Sequence, residues 1–386
     1  MTLIKRQKTM AVNYCVTPVI QALVSCQSMQ LTRSPERHKI KLIQKAMDAS
    51  PVDTRQLKNL AIMWGGLLSD DIRKKAWPKL LGVDVDNIPP KPDKEILYGH
   101  RDYNQVVLDV NRTLKRFPPG MEVEHRMSLQ DELVDLIMRV LVKHPELHYY
   151  QGYHDICVTF LLVAGEDIAF ALMEWLSVNH LRDFMDSTMD RTKHILNYLY
   201  PIVGKSKPKL RDFMEESEVG SVFSLSWLIT WYGHVLDDLR HIVRLYDFFI
   251  ACHPLMPIYL AAVIVLYREK EILSSECDMC VLHGLLSKIP DNLPFELLIR
   301  EAGDLFIQYP PTQLANEAIK TYKRKALVVT GKKSIQKYAT RRGTGGSWLW
   351  RYLVPDVGGG YIKVTAFVVV ALLSSAAWNM WAARDW

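Results

Sequence analysis

Arg112 stands near the end of a predicted helix, with Asp109 three residues before it and Val106 three residues before that. This spacing predicts that the three side chains lie on nearly one face of the helix, which the run 118–120, Pro-Pro-Gly, then ends. A guanidinium that is always charged, with a carboxylate one turn back to orient it, suits contact with an anion outside the protein. A solvated basic face is the alternative, and Arg116 on the same face is a rival for the role.

A second short segment, about one helical hairpin later, places a carboxamide beside a glycine. It reads Tyr149-Tyr-Gln151-Gly152-Tyr-His-Asp155. Because glycine has no Cβ, Gly152 permits close approach of a neighbouring backbone to the turn that carries Gln151. A motif this short also occurs by chance, so its weight depends on what accompanies it.

The 386 residues, 49% hydrophobic and 23% charged, are enough for one large or two ordinary globular domains with a real core. The formal net charge is +6, but residues 320–363 alone carry a net +10, with eleven Lys or Arg against Asp356, which leaves −4 for residues 1–319. A slightly acidic body argues against a nucleic-acid partner, whereas a basic segment beside an apolar one favours a membrane surface.

Apolar spacing predicts an all-α fold. The positions 129, 133, 136, 137, 140 and 141 form the stripe of a core-facing helix, with Ser128 placed to cap it. The dense run 156–165 and the segment after it fit a buried helix pair, and the segments 223–236 and 255–267 are also long and apolar. Few segments alternate with period two, as strands would require.

Six cysteines without framework spacing indicate a reducing compartment. Cys277 and Cys280, followed by His283, could bind zinc, but a second pair of ligands is missing nearby, so we expect no metal site and interpret these cysteines as incidental. The chain contains no glycine-rich phosphate loop and no GxSxG turn. We therefore expect no nucleotide or other cofactor of its own.

Residues 364–383 hold no charge and would span roughly 30 Å as a helix. The basic segment before them predicts a C-terminal tail anchor with the domain on the cytosolic side. The predicted organisation is thus a mobile N-terminal extension over 1–36, a helical domain over 37–315, a basic flexible linker over 316–363 and the transmembrane helix over 364–383. A buried C-terminal helix is the alternative for the last segment.

Taken together, the motifs resemble those of the TBC domain, a helical module that activates Rab GTPases. The family's IxxDxxR element is matched by Val106, Asp109 and Arg112, and its YxQG element by Tyr149, Gln151 and Gly152. The other matches are to the family's opening RxxxWxxL element and its later blocks: Arg73, Trp77, Leu80, Ser226, Trp227, Arg244 and Asp247. The sequence departs from the usual pattern at Tyr153 and His154, directly after the glycine.

The resemblance implies that Arg112 and Gln151 are catalytic fingers supplied in trans to a GTP-bound Rab. Asp109 would orient the finger helix, and Asp155 is a candidate polar support beside Gln151. The GTP and Mg²⁺ would belong to the partner. Arg73, Trp77, Trp227, Arg244 and Asp247 would then be residues that maintain the fold.

The apolar tail makes the pattern resemble the endoplasmic-reticulum-anchored branch of this family. The implied location is the endoplasmic reticulum membrane, with the Golgi as an alternative, and the implied process is traffic between the two. Two alternatives stay open: a membrane-anchored scaffold that binds a Rab without accelerating hydrolysis, and a redox or zinc protein that depends on Cys277 and Cys280.

Overall fold

The computed structural model describes residues 33–112 and 121–318. Within these two ranges the chain forms helices and turns without any β-strand, which confirms the all-α prediction. In chain order the α-helices are α1 (Arg33–Asp48), α2 (Thr54–Ile62), α3 (Asp70–Leu81), α4 (Lys94–Tyr98), α5 (Tyr103–Arg112), α6 (Val123–Lys143), α7 (Tyr153–Ala164), α8 (Glu166–Val178), α9 (Asp190–Leu196), α10 (Leu199–Ser206), α11 (Pro208–Glu216), α12 (Leu225–Ile229), α13 (Leu239–Ala251), α14 (Met256–Tyr267), α15 (Glu269–Leu273), α16 (Met279–Ser287) and α17 (Phe295–Gln308). A short 3-10 helix spans Val222–Ser224, and residues 311–318 are helical as well.

The most apolar helix, α14, lies at the centre of the fold. All ten residues from 256 to 265 are buried, so the helix is covered on every side, by α10, α12 and α17 among others. A helix that is apolar all round is stable only in such a position. Helices α7 and α8 follow one another with Gly165 between them, and they pack against each other. Both are buried along most of their length, which confirms the predicted helix pair.

Helix α6 presents the predicted apolar stripe to the core. Positions 133, 136, 137, 140 and 141 are fully buried, and Leu129 is partly buried against them. The predicted cap is wrong, however, because α6 begins at Val123 and Ser128 lies inside it, where its hydroxyl donates to Glu132 over 3.3 Å. The exposed first turns carry few apolar residues, so the stripe alone could not locate the start of the helix.

The apolar segment 223–236 does not form one long helix. It contains the 3-10 turn, the short helix α12 and then a tight turn in which Trp231 and Tyr232 both have positive φ, 46° and 67°. Left-handed backbone is unfavourable for large side chains. Here Trp231 and Tyr232 are buried, and Tyr232 donates a hydrogen bond to the Pro257 carbonyl over 2.8 Å, so packing compensates for the strain.

A buried carboxylate, Asp247 on α13, ties that helix to α3. It accepts hydrogen bonds from Arg73 (Nη2, 3.0 Å), from the indole of Trp77 (2.9 Å) and from the backbone N–H of Leu67 (2.9 Å). Burying an ion costs free energy unless its charge is paired and its lone pairs are satisfied, and Asp247 meets both conditions. Gly66, with φ +56°, fits because any Cβ there would overlap the Asp247 carboxylate.

One turn earlier on α13, Arg244 makes a second set of buried contacts. Its guanidinium makes a two-point ion pair with Glu296 of α17 at 2.7 and 2.9 Å, and it also donates to the carbonyls of Ala61, Ile62 and Met63. Trp227 is fully buried among aromatic rings. These five motif residues therefore lie in the interior. The contacts of Asp247 and Arg244 connect helices distant in sequence.

The described residues all belong to one compact unit. Among them, no helix combines the length and the apolarity that crossing a bilayer requires. The predicted transmembrane helix at 364–383, the linker beyond residue 318, most of the N-terminal extension, and Arg116 with the Pro-Pro-Gly run all lie outside the described residues.

Candidate functional site

Helix α5 carries Arg112 as its last residue and packs on α6 and α7. Val106 and Asp109 are buried, 0% and 1% exposed, whereas Arg112 is exposed. The expectation of one shared face is therefore wrong. Three residues advance an α-helix by about 300°, so each step falls back by roughly 60° and two such steps move Arg112 well away from Val106. In the described part of the chain, the Arg112 guanidinium has no hydrogen-bond or ion-pair partner.

Asp109 connects α5 to the turn that carries Gln151. Its Oδ1 accepts a hydrogen bond from the Gln105 side-chain amide over 3.0 Å, and its Oδ2 accepts one from the Tyr149 hydroxyl over 3.1 Å. Burial, together with the negative charge of Asp109, raises the pKa of Tyr149 well above its ordinary value. Tyr149 therefore keeps its proton and remains a donor at physiological pH.

The turn 149–152 is held by two tyrosine hydroxyls directly before Gln151. Tyr149 donates to Asp109, and the hydroxyl of Tyr150 donates to the carbonyl of Ile229 on α12 over 2.9 Å. Gln151 itself is half-buried and makes no hydrogen bond within the described residues. Its carboxamide thus sits on a fixed turn with its hydrogen-bonding groups available to a partner.

Gly152 gives this turn a conformation that other residues avoid. Its φ is +109°, and a Cβ at this position would lie 2.9 Å from the Cγ2 atom of Thr230. The sequence predicted a close approach here, but to a backbone, and the structure shows the side chain of Thr230 instead. Glycine is needed for both reasons, the positive φ and the crowding.

Asp155 lies in the first turn of α7, and its side chain is buried beside two histidines. Its Oδ2 is 3.3 Å from Nδ1 of His234, and its Oδ1 is 3.9 Å from Nε2 of His154. Nδ1 of His154 is in turn 3.0 Å from the Tyr149 hydroxyl. Asp155 therefore belongs to a chain of polar contacts that extends from Asp109 through Tyr149 and His154 to His234.

Sequence reasoning missed four members of this arrangement: Gln105, His154 as a hydrogen-bond partner, Thr230 and His234. Gln105 has a signal that could have found it, because it lies four residues before Asp109 and so on the same side of the helix. His154 lies five residues after Tyr149, its hydrogen-bond partner. The contacts of Thr230 with Gly152 and of His234 with Asp155 join chain segments about 80 residues apart, and no local spacing encodes them.

The structure does not bring Cys277, Cys280 and His283 together as a metal site. Cys277 and Cys280 are both exposed, on either side of the capping residue Asp278 of α16, with His283 one turn further along that helix. Within residues 33–112 and 121–318 no group of three potential ligands is arranged to hold a metal ion. This finding gives the zinc alternative no geometric support.

The fold and the motifs correspond to a known family. A model of the Rab-GTPase-TBC domain matches residues 70–273, more than half of the chain, and the chain belongs to this family of Rab GTPase activators.

Two curated relatives and one solved structure show the extent of the similarity. The chain is 60% identical to human TBC1 domain family member 20 over 282 residues, which cover 73% of this chain and 70% of that protein. It is 32% identical to the GTPase-activating protein gyp10 of Schizosaccharomyces pombe over 254 residues, or 64% of this chain and 67% of that protein. The crystal structure of the Ypt/Rab-GAP domain of Gyp1p superposes with a TM-score of 0.57 at 13% identity, covering 70% of this chain and 97% of that one, and supports the fold.

Proposed function

We propose that this protein accelerates GTP hydrolysis by a Rab GTPase, and that Arg112 and Gln151 complete the GTPase active site in trans. The observation that carries the proposal is the 3.1 Å hydrogen bond from Tyr149 to Asp109. Asp109 lies three residues before Arg112, and Tyr149 lies two residues before Gln151. One hydrogen bond therefore links the two segments whose polar side chains would enter the partner's site.

Arg112 would stabilise the negative charge that develops on the transferred phosphate. Its guanidinium is exposed at a helix end, and none of the described residues holds it in an ion pair that would have to break before it reaches an anion. An arginine supplied from outside raises the hydrolysis rate of a slow GTPase by roughly 10³ to 10⁵. The GTP and Mg²⁺ belong to the Rab, and this chain contributes side chains alone.

Gln151 would align the water that attacks the phosphate. A carboxamide can accept a hydrogen bond from that water and donate one to the nucleotide or the partner, provided that it is held in place. The contacts of Tyr149 and Tyr150 hold the turn directly before it, and Gly152 adds no side chain directly after it. This arrangement supports a role that a GTPase ordinarily gives to its own glutamine.

Exposed apolar side chains near Arg112 support docking of a protein partner. Leu108, one turn before Arg112, is 50% exposed, and Met127 of α6 is 59% exposed. The Gln130 amide donates to the Val110 carbonyl over 3.4 Å, which brings the first half of α6 beside the end of α5. Apolar residues that border a functional group are typical of a recognition surface.

The alternative is a scaffold that binds a Rab without activating it. The presence of both Arg112 and Gln151, each available to a partner, argues against that function. Phosphate release from a panel of GTP-loaded Rabs, with and without the purified protein, separates the two. Acceleration of at least one Rab supports the proposal, whereas tight binding of a Rab with unchanged hydrolysis favours the scaffold.

We further propose that the protein acts at the endoplasmic reticulum membrane, with the Golgi as the alternative location, on a Rab that regulates vesicle traffic between them. The charge-free segment 364–383 and its basic leading flank support a tail anchor with the domain in the cytosol. A glycosylation acceptor appended after Trp386 should be modified, and one at the N-terminus should not. The reverse pattern would contradict the proposed orientation.

A further inference from the structure

The hydroxyl of Tyr149 lies between two polar atoms. Its oxygen is 3.1 Å from Oδ2 of Asp109 and 3.0 Å from Nδ1 of His154. A phenolic hydroxyl has one proton, so it can donate to one of these neighbours, and an ionised carboxylate has no proton to give. The bond to Asp109 therefore needs the proton of Tyr149, and His154 must either donate to the hydroxyl oxygen or compete for that proton.

The surroundings of the His154 ring define its orientation. His154 is the second residue of α7 and is 8% exposed. Nδ1 faces the Tyr149 hydroxyl, and Nε2 faces Oδ1 of Asp155 at 3.9 Å. A ring turned by about 180° would place carbon atoms opposite both oxygens. The Asp155 carboxylate is itself buried and lies 3.3 Å from Nδ1 of His234, so the charge on the Nε2 side of the ring has a fixed place.

We propose that His154 is a positioning residue of the GTPase-activating site. Nδ1 carries a proton and donates a hydrogen bond to the Tyr149 oxygen, which leaves the hydroxyl proton on the side of Asp109. His154 thus maintains the bond that joins α5, the helix that ends at Arg112, to the turn that carries Gln151. This role rests on the proposed GTPase activation and is exerted through Tyr149, not on the nucleotide.

A bare Nδ1 would have the opposite effect. It would accept the proton of Tyr149, and the Asp109 carboxylate would lose a donor. Asp109 is 1% exposed, so water does not readily replace that donor, and depriving a buried carboxylate of a hydrogen bond is unfavourable. Donation by His154 is the arrangement that satisfies both contacts of the hydroxyl at once.

Single-turnover GTP hydrolysis by a responsive Rab tests the positioning role on the full chain. His154→Leu removes both ring nitrogens. His154→Asn keeps an amide N–H close to the place of Nδ1, whereas His154→Gln moves it towards the place of Nε2. A range of activator concentrations separates the rate at saturation from the affinity. His180→Leu is the matched control, because His180 is partly buried and contacts the Cys252 carbonyl instead.

We expect His154→Leu to lose roughly 10- to 100-fold in rate at saturation while its affinity stays close to wild type, since a small misplacement of a catalytic group has a cost of that size. His154→Asn should recover most of the rate and His154→Gln should not. His180→Leu should keep the full rate. A role in the fold alone would lower thermal stability without producing this order of rates.

A double-mutant cycle with Tyr149→Phe shows whether His154 acts through Tyr149. Once the hydroxyl is removed, the imidazole has no proton to direct. Tyr149→Phe/His154→Leu should therefore have the rate of Tyr149→Phe alone, within about twofold. Two residues that acted independently would instead multiply their losses.

Nitrogen-15 spectra of the full chain, labelled at histidine and measured without any Rab, test the hydrogen bond itself. The signals of His154 are those that disappear in His154→Asn. We expect Nδ1 to be protonated in the wild-type protein and its signal to shift in Tyr149→Phe, because the state of a ring nitrogen depends on the hydrogen bonds of the ring.

Three outcomes would overturn the positioning role: a bare Nδ1, a His154→Leu variant with the wild-type rate, or losses that multiply in the cycle. Failure of the proposed GTPase activation would look different, because the wild-type protein itself would then accelerate no Rab.

Discussion

The hydroxyl of Tyr149 donates to the carboxylate of Asp109 across 3.1 Å, and the two residues are 40 positions apart in the chain. The bond joins the helix that ends at Arg112 directly to the turn that carries Gln151. Because the Asp109 carboxylate is buried, the bond also satisfies a group that would otherwise cost free energy.

The Tyr149→Phe variant should therefore lose catalytic acceleration more than it loses binding. Without the hydroxyl, this bond no longer fixes α5 to the turn, and a small misplacement of a catalytic group costs roughly 10- to 100-fold in rate. The loss of one partner of Asp109 should lower the unfolding free energy by about 1–3 kcal/mol. Single-turnover hydrolysis over a range of activator concentrations separates the rate from the affinity.

Tyr267→Phe is the matched control, since Tyr267 is exposed and its hydroxyl makes no hydrogen bond in the described structure. It should keep the full rate. If Tyr149→Phe also kept the full rate, the hydrogen bond to Asp109 would stabilise the fold without contributing to catalysis.

Gly152→Ala should destabilise the protein and impair activation together. The substitution places a methyl group 2.9 Å from Thr230 Cγ2 at a φ of +109°, and a strained residue of this kind costs about 1–3 kcal/mol. Adding Thr230→Ser removes the clashing methyl group and keeps the hydroxyl, which bonds to the Ser226 carbonyl. Thermal unfolding should show partial recovery in the double variant.

Gly82→Ala serves as the comparison for backbone strain without crowding. Gly82 has φ +67°, and no atom lies within 4 Å of the place that an added Cβ would occupy. Its destabilisation should be smaller than that of Gly152→Ala. Equal losses of stability in the two variants would mean that the contact with Thr230 does not contribute to the destabilisation by Gly152→Ala.

Asp247→Asn should unfold the protein far more readily than wild type. The change removes the buried charge partner of Arg73 and leaves it only the exposed Asp70, and breaking a buried pair in this way costs about 3–5 kcal/mol. Asp70, the second carboxylate near Arg73, is a matched control because its side chain is 57% exposed. Asp70→Asn should cost less than about 1 kcal/mol in the same denaturant titration. Similar midpoints for the two variants would contradict the buried-pair account.

His180 should make stability depend on pH below neutrality. Burial lowers the pKa of His180 from 6.5 to about 4, and its Nε2 lies 3.3 Å from the Cys252 carbonyl. The unfolded chain therefore binds a proton that the folded chain does not between these two values, so stability falls as pH drops from about 6.5 to about 4. The total loss is on the order of 3 kcal/mol.

Urea unfolding at a series of pH values measures this slope. His180→Gln should flatten it, and the exposed His194→Gln should leave it as in wild type. An unchanged slope in His180→Gln would assign the pH dependence to other groups.

Local patterns in the sequence were enough to predict the all-α class and the buried segments of α6, α7 and α8. The stripe on α6 and the pair α7 and α8 followed from apolar spacing, because burial of such a face is what stabilises a helix. The prediction that Arg112 and Val106 share one face of α5 was wrong, because each step of three residues leaves an offset of roughly 60° around the helix.

The rest of the site depends on tertiary contacts that no spacing encodes. The left-handed turn at Trp231 and Tyr232 replaces a continuation of α12, and it is stable because both rings are buried. That turn follows Thr230, the residue that crowds Gly152, and leads to His234, which meets Asp155. The motif residues alone did not reveal these neighbours.

Single-turnover GTP hydrolysis by a responsive Rab, at saturating activator, tests the central claim most directly. It compares the wild-type protein with Arg112→Ala, Arg112→Lys, Arg116→Ala, Gln151→Ala and the double variant Arg112→Ala/Gln151→Ala, on the wild-type Rab and on a Rab whose own catalytic glutamine is replaced by alanine. Circular dichroism of the five activator variants should confirm that each keeps its helical content.

Both Arg112 variants should lose nearly all acceleration, because lysine lacks the planar fork of arginine, and Arg116→Ala should retain it. Gln151→Ala should lose most of it on the wild-type Rab, and the combined loss of Arg112 and Gln151 should be smaller than the sum of the separate losses in free energy. The Rab without its own glutamine should keep much of its response to the wild-type protein. An active Arg112→Ala, or an active Gln151→Ala together with complete dependence on the Rab's own glutamine, would contradict the account.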